Sequence, residues 1–153
     1  LDVSTRQVLA NIELGSRPTA MMLKPDGGEL FVLGAESSTL TIVDAFHDDV
    51  SQTLTTGRQP AAAVITRDGS TLYLATAGDG SISAFDVQNR VLLATTHVGS
   101  EPRALALTPD ERFLIVADSG TASLAILRTD RNALVTTIPV GPRPVDVVVP
   151  DWK

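Results

Sequence analysis

The sequence contains no cysteine. Disulfides, thiolate metal sites and cysteine nucleophiles are thereby excluded together. Aromatic residues make up 4% of the chain, too few for the stacking platforms that hold sugars or single-stranded nucleic acid. Basic residues are scarce and scattered: 12 Lys and Arg stand against 18 Asp and Glu, a net charge of −6. An acidic surface repels a phosphate backbone, so no nucleic-acid partner is expected. No apolar stretch comes near the ~18 residues that cross a bilayer as a helix, so no membrane span is expected. There is no Gly-x-Ser-x-Gly, no Gly-x-Gly-x-x-Gly, no Walker motif and no Asn-x-Ser/Thr sequon. No catalytic residue is therefore assigned from motifs.

What is present is globular in character. Apolar residues are 43% and charged residues 20%, and the 11 Gly and 9 Pro are dispersed, as many short strands joined by turns require. The organising feature is an internal repeat. Gly-x-x-Pro occurs at Gly15–Pro18, Gly57–Pro60, Gly99–Pro102 and Gly141–Pro144, always 42 residues apart, with no insertion or deletion. Asp26, Asp68 and Asp110 share one phase, as do Leu30, Leu72 and Leu114. Asp2, Asp44 and Asp86 share another, which Arg128 breaks.

Each repeat divides into four short strands; in the first they are predicted over Thr19–Leu23, Glu29–Leu33, Thr39–Asp44 and Asp49–Thr55. The Gly offers a positive φ, and the Pro opens the next strand, where a missing N–H costs little. Pro25-Asp26-Gly27 and Arg67-Asp68-Gly69 are tight-turn sequences, and the recurring Asp carboxylates are expected to bond their own turn backbones. Strands such as Leu30-Phe31-Val32-Leu33 are apolar without alternation, so both faces must be covered. Four-stranded antiparallel sheets stacked around an axis achieve that, which predicts an all-β chain of β-propeller blades. Small, apolar first strands (Ala61–Ile65, Ala104–Leu107) suit the innermost position.

With the phase set, the residues resemble the YVTN-type, lactonase-like β-propeller repeat family. The Leu-Tyr-Val-Thr-Asn and Thr-Val-Ser-Val-Ile-Asp strands of that pattern are matched by Leu30–Gly34 with Thr39–Asp44, by Leu72–Thr76 with Ser81–Asp86, and by Leu114–Asp118 with Ser123–Arg128. The Asn of the signature is replaced by Gly34, Thr76 and Asp118. The resemblance implies part of a seven-bladed propeller and an extracytoplasmic setting, periplasmic or at the cell surface. The expected division is an outer strand of a preceding blade over 1–14, blades over 15–56, 57–98 and 99–140, and the innermost strand of a following blade over 141–153. Such a fragment reads as the C-terminal portion of a longer propeller, or as a module that assembles from several copies. Either the remaining blades or another copy is needed to cover the terminal faces.

Chemistry is sparse. His47 and His97 fall at different phases of different repeats and are not expected to share a metal; neither metal nor cofactor is expected. The functional expectation rests on the Gly-x-x-Pro loops, whose frame recurs while their side chains vary. They join outer to inner strands and so face the central funnel. Arg17, Arg58, Gln59, Glu101, Arg103 and Arg143 are the candidate binding residues, with Glu36, Asp79 and Asp118 on the same rim. The leading expectation is a non-catalytic scaffold binding a protein or small ligand there. The alternative is a propeller enzyme or enzyme subunit, lactonase-like or redox-associated, with its active residues in an N-terminal portion not included in these blades.

Overall fold

A computed structural model describes residues 6–8 and 10–150. Twelve strands form three four-stranded antiparallel sheets. The first blade contains β1 (Pro18–Leu23), β2 (Glu29–Gly34), β3 (Thr39–Asp44) and β4 (Asp49–Thr55). The second contains β5 (Pro60–Ile65), β6 (Thr71–Thr76), β7 (Ser81–Asp86) and β8 (Val91–His97). The third contains β9 (Pro102–Leu107), β10 (Phe113–Asp118), β11 (Ser123–Arg128) and β12 (Ala133–Pro139). Within each sheet the strands lie in chain order. The inner strands β1, β5 and β9 pack against one another in turn, whereas the outer strands β8 and β12 barely meet, so the blades splay from an axis.

The uninterrupted apolar strands are explained by this stacking. Side chains alternate along a strand, and in the middle blade each side has a neighbour. Leu72 and Leu74 of β6, with Phe85 of β7, pack on Phe31, Leu33, Leu40 and Ile42 of the first blade. Tyr73 and Ala75 point the other way and join Ile82 and Ala84 against Leu114, Val116, Ala125 and Leu127 of the third. The terminal blades lack that second cover. Met21 and Leu23 of β1 are 73% and 56% exposed, and β11 alternates between buried and half-buried residues.

The turn carboxylates behave as expected. Asp26, Asp68 and Asp110 accept the N–H of Gly28 (3.0 Å), Ser70 (2.9 Å) and Arg112 (3.2 Å). Asp44 accepts from Phe46 and His47, and Asp86 from Asn89. Where Arg128 breaks that column, it forms a two-bonded pair with Asp130 instead.

The loop glycines correct one expectation, and two terminal segments carry no ladder among the described residues. First, of the four loop glycines only Gly15 has a positive φ (71°); in the loops of Gly57 and Gly141 the left-handed residues are Gln59 (51°) and Arg143 (54°). Second, the described part of the segment expected as an outer strand, residues 6–8 and 10–14, carries an isolated bridge at Gln7 and no strand, and positions 1–5 lie outside the described residues. Third, residues 144–150 make no ladder. A strand exists only through its pairing, and among the described residues these two segments show one isolated bridge, at Gln7, and no ladder. Val147–Val149 instead share a cavity of about 450 Å³ with Ile65, Leu105 and Leu107 of the inner strands.

Candidate functional site

The outer-to-inner loops and the β2–β3, β6–β7 and β10–β11 hairpins meet on one edge of the blades, here called the top. Its backbone is held by carboxylates, but from different columns in successive blades. In the second blade, Asp79 accepts the Arg58 N–H at 2.6 Å and the Arg58 Nε–H at 2.7 Å. A further guanidinium N–H of Arg58 donates to the Gly78 carbonyl at 2.9 Å. The Arg58 side chain, and next its backbone N–H, hold the Asp79 carboxyl below its usual range.

In the third blade the same task falls to Asp118. Its side chain is fully buried, receives the Glu101 N–H at 3.3 Å and the Thr121 N–H at 2.8 Å, and so ties both top loops of the blade together. These carboxylates also explain the glycines. A Cβ on Gly57 would overlap the Asp79 carboxylate, and one on Gly99 would overlap that of Asp118. Glycine is required there by close approach rather than by a left-handed backbone. Asp118 was expected to contribute to the rim surface; it lies beneath it. The signal in the sequence was its place in the column where the family signature has Asn.

The six candidate residues do not form one cluster. Arg17 stays on its own blade, 3.8 Å from Glu36, both strongly exposed. Arg58 is committed to Asp79 and Gly78. Glu101, Arg103 and Arg143 converge with Ser119, Gly120 and Val145 around an open cavity of about 690 Å³. Arg103, second residue of β9, also lines an adjoining cavity of about 400 Å³ with Gln59, Thr19, Glu36 and Ala61. It is the link between the two. Among the described residues the ion pair within the larger cavity is Arg103–Glu101, a single contact at 3.4 Å between half-exposed side chains. Arg143 has no hydrogen-bond or ion-pair partner among the described residues. The Ser119 hydroxyl donates to the Pro144 carbonyl and fastens the segment that carries Arg143 and Val145 to the third blade.

The opposite edge is different in kind. Between the first two blades a cavity of about 630 Å³ is lined by Lys24, Glu29, Asp68 and Arg90. Lys24 pairs with Asp26 (3.0 Å) and Glu29 (3.7 Å), and Arg90 reaches across from the second blade to Glu29. Its cations are thus already paired, Lys24 within the first blade and Arg90 across to it. His47 sits on this edge, bonded to Asp44 at 2.8 Å, which raises its pKa through the hydrogen bond and the neighbouring charge. His97 ends β8 near the top, far along the repeat from His47. Among the described residues no group of three or more His, Asp or Glu is placed to hold a metal ion.

Comparison with known proteins agrees with this architecture. The model of the family described as lactonase, 7-bladed beta-propeller, matches residues 45–149. No curated protein matches the chain in sequence. Among solved structures, hydrazine synthase of Kuenenia stuttgartiensis superposes with a TM-score of 0.80 at 29% identity, over 84% of this chain and 38% of that one. A 6-phosphogluconolactonase-type protein of Bacteroides fragilis gives 0.75 at 22% identity, over 86% and 41%. A dihydro-heme d1 dehydrogenase gives 0.69 at 24% identity, over 82% and 26%. The chain spans less than half the length of each. A repeat period of 42 residues, three stacked four-stranded sheets and the family match converge: this chain belongs to the lactonase seven-bladed β-propeller family.

Proposed function

We propose that these blades act as a non-catalytic scaffold that binds a protein or small ligand at the top rim. The observation that carries this reading is the meeting of Glu101, Arg103 and Arg143 at one open cavity, on loops braced from below by Asp118. A cavity of about 690 Å³ is of the size that small-molecule sites usually have. The rim residues that vary are free to contact a partner, while the residues that recur hold the backbone. A periplasmic or cell-surface setting is part of the same reading, as is a need for further blades or a second copy against the open faces of the first and third blades.

A second reading is favoured by the comparisons: a lactonase-like or redox-associated propeller enzyme, or a subunit of one. The family model bears the name lactonase, and hydrazine synthase and a dehydrogenase are among the structural neighbours. In that case the catalytic groups come from outside the described blades.

A thermal-shift screen of small molecules on the chain and on its Arg103→Gln/Arg143→Gln variant tests the first reading. Ligands that raise the midpoint of the parent chain and not of the variant are expected. Equal shifts in both would sink it. Lactone hydrolysis by a longer chain that carries these blades, unchanged in the same variant, would transfer the support to the enzyme reading.

A further inference from the structure

The first and second blades part at their outer edge around a groove of about 460 Å³. It lies between β4 and β8, the outermost strands of their sheets, and so opens on the circumference rather than toward the axis. Thr76, Ser81, Ser83 and Thr95 give it hydroxyls, and Phe85 and Leu92 give it an apolar wall. The first three are more than nine-tenths buried, at 1%, 8% and 6% exposure. The Thr76 hydroxyl donates to the Ser81 carbonyl at 3.1 Å, and the Ser81 hydroxyl donates to the Asp79 carbonyl at 3.2 Å. Their donors are thus spent, while their oxygens keep acceptor lone pairs. The Ser83 and Thr95 hydroxyls share one contact at 3.4 Å. The Asp79 carboxylate, at the upper end of the groove, is occupied by Arg58.

The next interface shows that this polar lining is particular to the first. Forty-two residues on, Thr56, Ser83 and Phe85 become Val98, Ala125 and Leu127, which pack into one apolar core with Val98 5% and Ala125 0% exposed. A β-bulge also shapes the wall. Phe85 pairs with Leu92 and Ala84 with Ala94, which leaves Leu93 extra in β8. Leu92 and Thr95 therefore share the face toward the first blade, while Thr96 turns to the third and donates to the Asn132 carbonyl.

We propose that this groove takes an extended, uncharged stretch of a partner polypeptide. Its backbone N–H groups meet the Ser81, Ser83 and Thr95 oxygens, and one small aliphatic side chain rests on Leu92 and Phe85. A lining of acceptors calls for a ligand rich in donors, and a lining whose carboxylate is already paired offers a charged ligand nothing. The strand edges select a peptide. β4 and β8 each pair on one side only, and neither 52–55 nor 94–97 carries the Lys, Arg or Pro that usually guards a free edge. In β12 the same column holds Pro139. The groove is a second surface, separate from the rim cavity of Arg103 and Arg143, and does not depend on the rim-binding reading.

The test is a backbone-amide NMR titration of the whole 153-residue chain with a capped tetrapeptide of alternating serine and valine. The same peptide with aspartate in place of valine, and glucose, are the comparison probes. Saturable shifts centred on Gly57, Ser81, Ser83 and Thr95 are expected with the neutral peptide, and binding about tenfold weaker or more with the acidic one. Thr56→Val/Ser83→Ala copies the second interface. It should abolish the shifts while the urea midpoint holds or rises, a combination that unfolding cannot imitate. Leu92→Lys, at a position 54% exposed, should abolish them as well and keeps the test decisive if the double variant misfolds. Peptide binding that survives these substitutions overturns the inference. So does equal binding of the acidic peptide, a response to glucose and not to the peptide, or no response at these residues.

Discussion

At Gly99 the missing side chain makes room for a buried carboxylate, and at Gly141 it makes room for nothing within 4 Å. Two glycines of one repeat column thus have different reasons to be there, and substitution separates them. Gly99→Ala forces a methyl group into Asp118 and should cost about 1–3 kcal/mol, the usual range for overpacking. Gly141→Ala should stay within about 0.5 kcal/mol. Urea denaturation of both variants checks the pair, and equal effects would contradict the close-approach account. The turn carboxylates make a second residue-scale prediction. Asp26 is held low chiefly by the Gly28 N–H, Asp68 by the Thr66 hydroxyl, Asp79 by the Arg58 side chain, Asp86 by the Asn89 N–H and Asp110 by the Thr108 hydroxyl. A folded pKa below the usual 3.8 means that the folded state binds fewer protons than the unfolded state between the two values. Stability from these groups is therefore complete above about pH 5, declines as pH falls through the unfolded value, and is lost below the folded ones. Denaturation midpoints at pH 7, 5 and 3 should show a plateau and then a fall. The Asp44–His47 pair adds a trend of opposite sign on its histidine side: a raised pKa gives stability present below 6.5 and lost as pH rises through the folded value. Asp44→Asn should remove that loss.

Strand β6 shows how a single element serves two interfaces. Its even-numbered leucines, Leu72 and Leu74, are 1% and 0% exposed against the first blade; its odd positions Tyr73 and Ala75 are buried against the third. Leu72→Ala should cost roughly 2–5 kcal/mol, since it opens a cavity between two sheets that cannot both collapse into it. Met21→Ala on the uncovered face of β1 should cost little by comparison, although both residues are apolar and sit in strands of equivalent blades. A midpoint for Leu72→Ala equal to that of the parent would contradict the stacking. Much of this was legible beforehand: the strand limits from Thr39–Asp44 and Asp49–Thr55 fell where expected, because Asp-capped turns and Gly-x-x-Pro loops mark strand ends by local chemistry. The described segments 10–17 and 144–150 have the residue types of strands but form no ladder, and pairing is not a local property.

At the scale of the molecule, three blades leave two apolar faces uncovered. The first presents Met21 and Leu23; the other presents Ile138 of β12 beside Leu124 of β11. Faces of this kind promote association. The chain on its own should show a weight-average mass above 16.1 kDa that rises with concentration in sedimentation or light scattering. Leu23→Lys and Ile138→Lys should lower it, and a strict monomer at all concentrations would contradict the prediction. Of the candidate site, the sequence supplied the loops and the residue list but not the grouping. Arg17, Arg58 and Arg143 are equally basic in the sequence. Their difference arises because Asp79 pairs with Arg58, Glu36 pairs with Arg17, and no described acid pairs with Arg143.

The 42-residue period, with its apolar strands and turn-forming Asp and Gly, determined by itself that this chain would make blades. Periodicity and turn chemistry act over a few residues and need no knowledge of distant partners. Only the tertiary structure decided that Asp118 would be a buried brace, that Gly57 and Gly99 would yield to carboxylates, and that Arg103 and Arg143 would share a cavity. Those outcomes depend on which side chains meet across loops 15 to 40 residues apart. Close approach and charge balance are properties of the folded arrangement.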